Sequence, residues 1–142
     1  MSDVPVPTVL AMLLCDSVIV DQMTNKKSLI GVFQDLNAPV FPAQTNCSLY
    51  VRLADAVGAY ALRIRFVDLN GEVLVNEFPP INATFTDPLA PAEVAVNIVG
   101  LQVPGEGKYE FQLYADEIYL SRITMRANRV QLGGPQWHRK QF

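Results

Sequence analysis

Apolar and polar residues alternate with a period of two along most of the chain, which predicts β-strands rather than helices. The clearest segment runs from Tyr60 to Val67, where the apolar side chains at even positions alternate with two arginines and two small or apolar residues. Such a strand turns one face to a core and the other mostly to water. Asn70-Gly71 follows and predicts a tight hairpin turn, because both residues tolerate positive φ, and Val73–Phe78 is the predicted return strand.

The same alternation predicts a strand in which one face is apolar and the opposite face is polar. The apolar face comprises Cys47, Leu49, Val51 and Leu53, and the opposite face comprises Ser48, Tyr50 and Arg52. Further strands are predicted at Val9–Val20, Ser28–Asp35, Val94–Ile98, Tyr109–Leu113 and Ile118–Ala127. A polar turn at Asp21–Lys27 separates the first two, and Asp116-Glu117 forms a tight turn before the last. In the last strand, Ile118–Ala127, the alternation of apolar residues shifts by one position around Ser121-Arg122, which indicates a β-bulge.

The final third of the chain narrows the fold class. A strand ending near Val99, a loop at Gly100–Glu106 and a strand opening at Gly107 are typical of the corner between strands E and F of an immunoglobulin-type domain. A tyrosine there hydrogen-bonds back to the backbone, and Tyr109 is the candidate. We therefore predict an all-β, immunoglobulin-like antiparallel β-sandwich of about seven to nine strands. It forms a single domain over residues 1–132, followed by a basic aromatic C-terminal tail at 133–142.

Several short segments together resemble a family of short bacterial β-sandwich proteins that has no assigned function. They are Leu14-Cys15-Asp16, Lys27–Phe33, Phe41-Pro42, Asp87–Glu93, Gly107-x-Tyr109-Glu110-Phe111 and Leu113-Tyr114-Ala115. Their order and spacing cover the chain from about Ala11 to Val130, nearly its whole length. The resemblance implies a bacterial source and supports the sandwich. It implies no catalytic or binding residues.

Composition and charge exclude several classes of protein. Half of the residues are hydrophobic and 18% are charged, which excludes a disordered chain. The net charge of −3 provides no positive field for nucleic acid or anionic lipid, so we expect neither partner. The apolar run Val9–Leu14 has no basic segment before it and is too short to span a bilayer. We therefore expect a cytoplasmic protein in which Cys15 and Cys47 are reduced, buried side chains.

The charge is unevenly distributed along the sequence. Residues 1–120 contain all 14 acidic residues and six bases, whereas residues 121–142 contain five bases and no acid. These bases are Arg122, Arg126, Arg129, Arg139 and Lys140. Either this segment lies across the acidic body of its own chain, which we favour, or it contacts another molecule.

Residues with the spacing of an active site are not found in the sequence. His138 is the only histidine and lies in the tail, where no rigid strand would hold it as a base. The two cysteines and this histidine are too few for a structural zinc site, and no glycine-rich loop precedes a helix. The aspartates near strand ends are predicted to form turns rather than to bind calcium, and Asp16 to face solvent or a charged partner. We therefore predict no catalytic residues, no cofactor, no metal and no enzymatic activity.

Two surfaces remain as candidates for binding. In the first strand, Val9, Ala11, Leu13 and Cys15 occupy one face and Leu10, Met12 and Leu14 the other. Because both faces are apolar, we expect another segment or another chain to cover the second. In the tail, a flexible break at Gly133-Gly134-Pro135 precedes two aromatic and two basic residues that suit docking to a partner, although a disordered end is the alternative. These residues are Trp137, Arg139, Lys140 and Phe142.

These surfaces predict a non-enzymatic protein-interaction or assembly module whose partner is another protein or copies of itself. The predicted contacts are the N-terminal strand and the C-terminal tail. The alternative is a sandwich that binds a small ligand or a carbohydrate on aromatic side chains of a wet face. The candidates for that face are Tyr50, Tyr114 and Tyr119.

Overall fold

Ten β-strands in two sheets make up the computed structural model of the chain, which describes residues 4–131. The strands are β1 (Thr8–Val20), β2 (Lys27–Val32), β3 (Asp35–Ala38), β4 (Ala43–Ala54), β5 (Gly58–Asp68), β6 (Val73–Glu77), β7 (Ile81–Phe85), β8 (Ala92–Val103), β9 (Gly107–Ala115) and β10 (Ile118–Arg129). Among these residues no helix is long and apolar enough to cross a membrane.

The smaller sheet has the strand order β2-β1-β4-β8, and the larger has the order β3-β10-β9-β5-β6, with β7 also paired to β5. Every pair is antiparallel except β3 with β10. The prediction of an all-β sandwich is confirmed. The strand predicted at Ser28–Asp35 is instead two strands, because the chain leaves the smaller sheet after β2 and joins the larger sheet at β3.

The core lies between the two sheets and follows the predicted alternation. The apolar face of β4 is almost wholly buried, as predicted. From the larger sheet, Phe66 lies opposite Phe111 and stacks on Tyr109, with ring centroids 5.1 Å apart in the stacked pair. Burial of such large rings provides much of the free energy that holds two sheets face to face.

Tyr109 stabilises the corner between β8 and β9, as predicted. Its hydroxyl donates a hydrogen bond to the carbonyl oxygen of Gly105 at 2.7 Å and accepts one from the amide of Gly105 at 3.1 Å. The loop is shorter than predicted, because β8 continues past Val99 to Val103 through a bulge. Gly100 provides the positive φ that this bulge requires, and its amide donates to the side-chain oxygen of Asn46.

We expect Tyr109→Phe to lower the free energy of unfolding by about 1–3 kcal/mol, because the substitution leaves the half-buried amide and carbonyl groups of Gly105 without their partner. Urea denaturation of the variant and the parent protein measures this difference. Tyr119→Phe is the matched control: that side chain is exposed, and we expect a change of no more than about 0.5 kcal/mol. Equal effects of the two variants would contradict the role of Tyr109.

The tight turns follow the sequence signals, with one shift. The turn at Asp116-Glu117 is confirmed, and Asp116 has positive φ. In the hairpin between β5 and β6 the positive φ values occur at Gly71 and Glu72, one residue later than predicted. The predicted bulge in β10 is confirmed, with the register shift between Tyr119 and Ser121.

Candidate functional site

The prediction that Leu10, Met12 and Leu14 share one face of the first strand and form a contact surface is wrong. The pairing of β1 with β4 shifts between Val9 and Ala11, and this bulge changes which residues face the core. Leu14 is therefore fully buried and Met12 packs against the core, whereas Leu10 is 58% exposed. Period-two counting cannot detect one inserted residue, so these three side chains do not form a contact surface.

The tail residues predicted to dock a partner lie outside the described residues, as does His138. Their role stays a prediction. Three of the basic residues before the tail are described: Arg122 and Arg126 pair with the chain's own acids, whereas the Arg129 guanidinium lies 5.8 Å from the centroid of the Phe41 ring. Arg126 binds Asp35 at 2.7 Å, and Arg122 lies 3.5 Å from Glu110. For these two arginines, the interpretation that the last strand lies across the acidic body is confirmed.

The most distinctive feature of the smaller sheet is a two-stranded ribbon, residues 17–30, formed by the end of β1, the start of β2 and the turn between them. The turn is closed by backbone hydrogen bonds between Asp21 and both Asn25 and Lys26. The carboxylate of Asp21 also accepts the amide of Met23 at 2.8 Å, as a turn-forming aspartate does. We call this segment the ribbon.

The ribbon folds back over the outer face of the smaller sheet. Across the sheet, Glu93 lies in the same row as Ala11, because both pair with Arg52 of β4. Lys27 lies in the same row as Val20, with which it pairs. Nine residues of extended strand separate these rows, which corresponds to about 30 Å. Yet the Nζ atom of Lys27 lies 3.0 Å from Oε1 of Glu93. Only a ribbon that bends back across the sheet can satisfy both its pairing and this contact.

The burial of the outer face agrees with this arrangement. In β4, the residues that alternate with the core side chains point away from the core, yet Ser48 is only 2% exposed and Tyr50 only 8% exposed. Cys15, beside Ser48 in β1, is also fully buried. The cover expected for the second face of the first strand is thus a segment of the same chain.

A glycine marks the place where the ribbon leaves the plane of the sheet. Gly31 has φ of 67°, and a Cβ atom there would collide with the carboxylate of Asp16 on the neighbouring strand. Only glycine adopts this conformation at low cost. Asp16 itself is exposed, as predicted for a charge in an apolar run.

Glu93 is the centre of the contact between the ribbon and the sheet. Its carboxylate accepts a short hydrogen bond from the Tyr50 hydroxyl, binds Lys27, and lies 3.6 Å from Arg52. The Tyr50 hydrogen bond, followed by the two cations, lowers the pKa of Glu93 below its ordinary value. Burial and the same hydrogen bond raise the pKa of Tyr50, so Glu93 is charged and Tyr50 is neutral at physiological pH.

A cleft of about 780 Å³ opens between the tip of the ribbon and the sheet. We call it the ribbon cleft. Its polar side chains include three cations, Lys26, Lys27 and Arg52, and one carboxylate, Glu93. Apolar side chains complete the wall, and they are Phe85, Ala90 and Pro91.

The two faces of the ribbon differ in burial. Val18 pairs with Leu29, and both are half-buried on the side that carries Lys27. On the opposite side, Ile19 and Ile30 are 55% and 47% exposed. They are diagonal neighbours in the pairing and form an uncharged apolar surface, which we call the ribbon face.

The three tyrosines proposed for ligand binding do not share a surface. Tyr50 lies on the smaller sheet beneath the ribbon. Tyr114 and Tyr119 lie on the larger sheet, where their rings meet edge to face at 5.7 Å, and the Arg65 guanidinium lies 5.9 Å from the Tyr114 ring. The aromatic face assumed in the carbohydrate-binding alternative is therefore not formed by these residues.

The two cysteines are free and buried, in agreement with their prediction as small apolar side chains. Burial raises the pKa of the Cys47 thiol to about 11, which keeps it protonated and unreactive. Within residues 4–131, no three histidine, cysteine or carboxylate side chains lie together so that they could hold a metal ion.

The fold and surfaces described above define a two-sheet β-sandwich with a folded-back ribbon. The chain belongs to a family of unknown function, DUF6941, whose family pattern matches residues 10–128. This agrees with the resemblance to a family of unassigned function found from the sequence. No curated protein matches the chain.

Proposed function

We propose that this protein is a non-enzymatic assembly module that associates with a second copy of itself through the ribbon. The observation that carries the proposal is the ribbon face, where Ile19 and Ile30 are exposed on a strand pair whose outer strand, β2, has no further strand beside it among residues 4–131. Exposed apolar side chains beside unpaired backbone groups are typical of protein contact sites.

The edge of β2 has few of the features that protect an edge strand: its one charged residue, Lys27, is paired with Glu93, and the bend at Gly31 lies near its end. Residues 28–32 contain no charged residue and no proline, and charges and prolines are the usual protection. The other edge of the smaller sheet, β8, contains a bulge at Val99-Gly100 and is flanked by Pro91 and Pro104. An association through strand edges is therefore favoured at β2.

A second copy is the partner that this edge fits best. Two β2 strands related by a two-fold axis pair antiparallel, so the same residues serve on both sides of the interface. The pairing would set the two ribbon faces beside each other. Because the ribbon face has no charge, the contact brings no like charges together, even though each chain has a net charge of −3.

The resemblance and the composition supply the proposed setting. A bacterial source and a cytoplasmic location, where both thiols stay reduced, complete this proposal. The predicted C-terminal tail could add a second contact, and a chain ending at Gln131 separates the two contributions.

Mass photometry and light scattering of the full chain test the proposal. We expect a dimer for the parent protein and a monomer for Ile30→Lys, because a lysine on an edge strand opposes pairing. Val73→Lys is the matched control: Val73 is similarly exposed but lies on the larger sheet, and we expect it to stay dimeric.

The chain ending at Gln131 should remain dimeric if the ribbon is the interface. A parent protein that is monomeric at every concentration would refute the proposal. So would a dimer that Ile30→Lys leaves intact and that removal of the tail dissociates.

A further inference from the structure

We propose that the ribbon cleft binds a small organic anion that carries a phosphate or carboxylate group next to a flat apolar group. This inference concerns the opposite side of the ribbon from the proposed dimer contact and does not depend on it. It is carried by the charge, the hydrogen bonding and the shape of the cleft.

The charge of the cleft is opposite to that of the protein. Three cations and one carboxylate line it, which gives a local net charge of +2 in a chain of net charge −3. A concave site with walls of low dielectric concentrates such a field. The local field of this cleft therefore favours anions.

Glu93 offsets the charge of only one of the three cations, Lys27, because its carboxylate binds Lys27 and the Tyr50 hydroxyl. Its contact with Arg52 is long, at 3.6 Å, and the Arg52 side chain is 43% exposed. The guanidinium therefore has N–H groups free for a ligand. Lys26 forms no ion pair with any of the described residues.

Tyr50 and Glu93 serve as a buried support for this arrangement. Tyr50 is more than nine-tenths buried, and its hydroxyl holds the carboxylate that in turn fixes Lys27 and orients Arg52. Side chains held in place before a ligand arrives lose little entropy on binding, which favours affinity. The cation site is thus built in advance rather than assembled by chance at the surface.

The shape and walls of the cleft indicate the rest of the ligand. Its volume exceeds that of a single inorganic ion, and small-molecule sites have volumes of this order. Phe85 and Pro91 provide an apolar wall against which a flat group can lie. A planar guanidinium such as Arg52 binds phosphate or carboxylate through two parallel hydrogen bonds.

Isothermal titration calorimetry on the full chain with three probes tests the inference. Adenosine monophosphate carries a phosphate and a flat base, citrate carries carboxylates alone, and adenosine carries the base alone. We expect adenosine monophosphate, citrate or both to bind, and adenosine to bind far more weakly. The relative affinity of the first two identifies which anionic group the cleft prefers.

Two sets of variants locate the site. Lys26→Gln with Arg52→Met should weaken binding about tenfold or more, because it removes charged hydrogen bonds to the anion. Lys108→Gln with Arg129→Gln changes the net charge equally on the larger sheet, and it should alter affinity less than about twofold. Lys26→Gln alone changes only an exposed side chain, so we expect it to fold as the parent does and to give an intermediate loss of affinity.

The inference is overturned if neither anion binds at millimolar concentration. It is also overturned if both double variants weaken binding equally, because the effect would then reflect net charge and not the cleft. Ile30→Lys, which should dissociate the dimer, is expected to retain anion binding, so failure of the assembly proposal and failure of this one are distinguishable.

Discussion

Leu14→Ala should lower the free energy of unfolding by about 2–5 kcal/mol, the range for removing a fully buried leucine side chain. Leu14 has no exposed surface and packs in the core between the sheets, so its removal leaves a cavity that rigid neighbouring strands cannot fill. Urea denaturation of the parent and the variant measures the difference directly.

Leu10→Ala is the matched control in the same strand and with the same chemical change. Leu10 is mostly exposed, so we expect a loss of no more than about 0.5 kcal/mol. The bulge between Val9 and Ala11 is the sole reason why these two leucines, which share a parity in the sequence, should differ. Similar losses for the two variants would show that the bulge is misplaced.

Glu93→Gln should destabilise the protein by about 1–3 kcal/mol at neutral pH, because it deprives half-buried cations of their carboxylate partner. The loss concerns chiefly Lys27, whose side chain is as little exposed as that of Glu93. Chemical denaturation of the variant against the parent measures it. Glu72→Gln, in an exposed turn outside the cleft, should cause almost no change.

The difference in stability between the parent protein and Glu93→Gln should also depend on pH. Because the folded protein lowers the pKa of Glu93, the carboxylate contributes stability that is fully present above its ordinary pKa. This contribution is lost as the pH falls through the lowered value in the folded state. The stability difference between parent and Glu93→Gln should therefore shrink on acidification. A difference that is constant with pH would contradict the ion pair.

Local patterns predicted the parts of the fold that depend on local chemistry. The alternation in β4 identified its buried face, because side chains in a regular strand point to opposite sides in turn. The turn at Asp116-Glu117 and the corner tyrosine Tyr109 were found from residue types with specific backbone or hydrogen-bonding roles. Each of these features is decided within a few residues.

The features that the sequence did not predict depend on single inserted residues or distant partners. The bulges at Leu10 and at Val99-Gly100 each insert one residue, which changes the face of the sheet to which the following side chains point. The contact between Lys27 and Glu93 joins positions 66 residues apart, and no periodic pattern encodes it. The ribbon cleft therefore could not be predicted, although Gly31, a glycine inside a predicted strand, was a local sign of a bend.

Nuclear Overhauser contacts in the uniformly labelled full chain test the folded-back ribbon most directly. The structure predicts contacts between the side-chain protons of Lys27 and those of Glu93 and Tyr50, since these side chains share one cleft. A ribbon that instead continues in line with its sheet would show the contacts between β1 and β2 but none from Lys27 to β8. That second result would contradict both the cleft and the ribbon face.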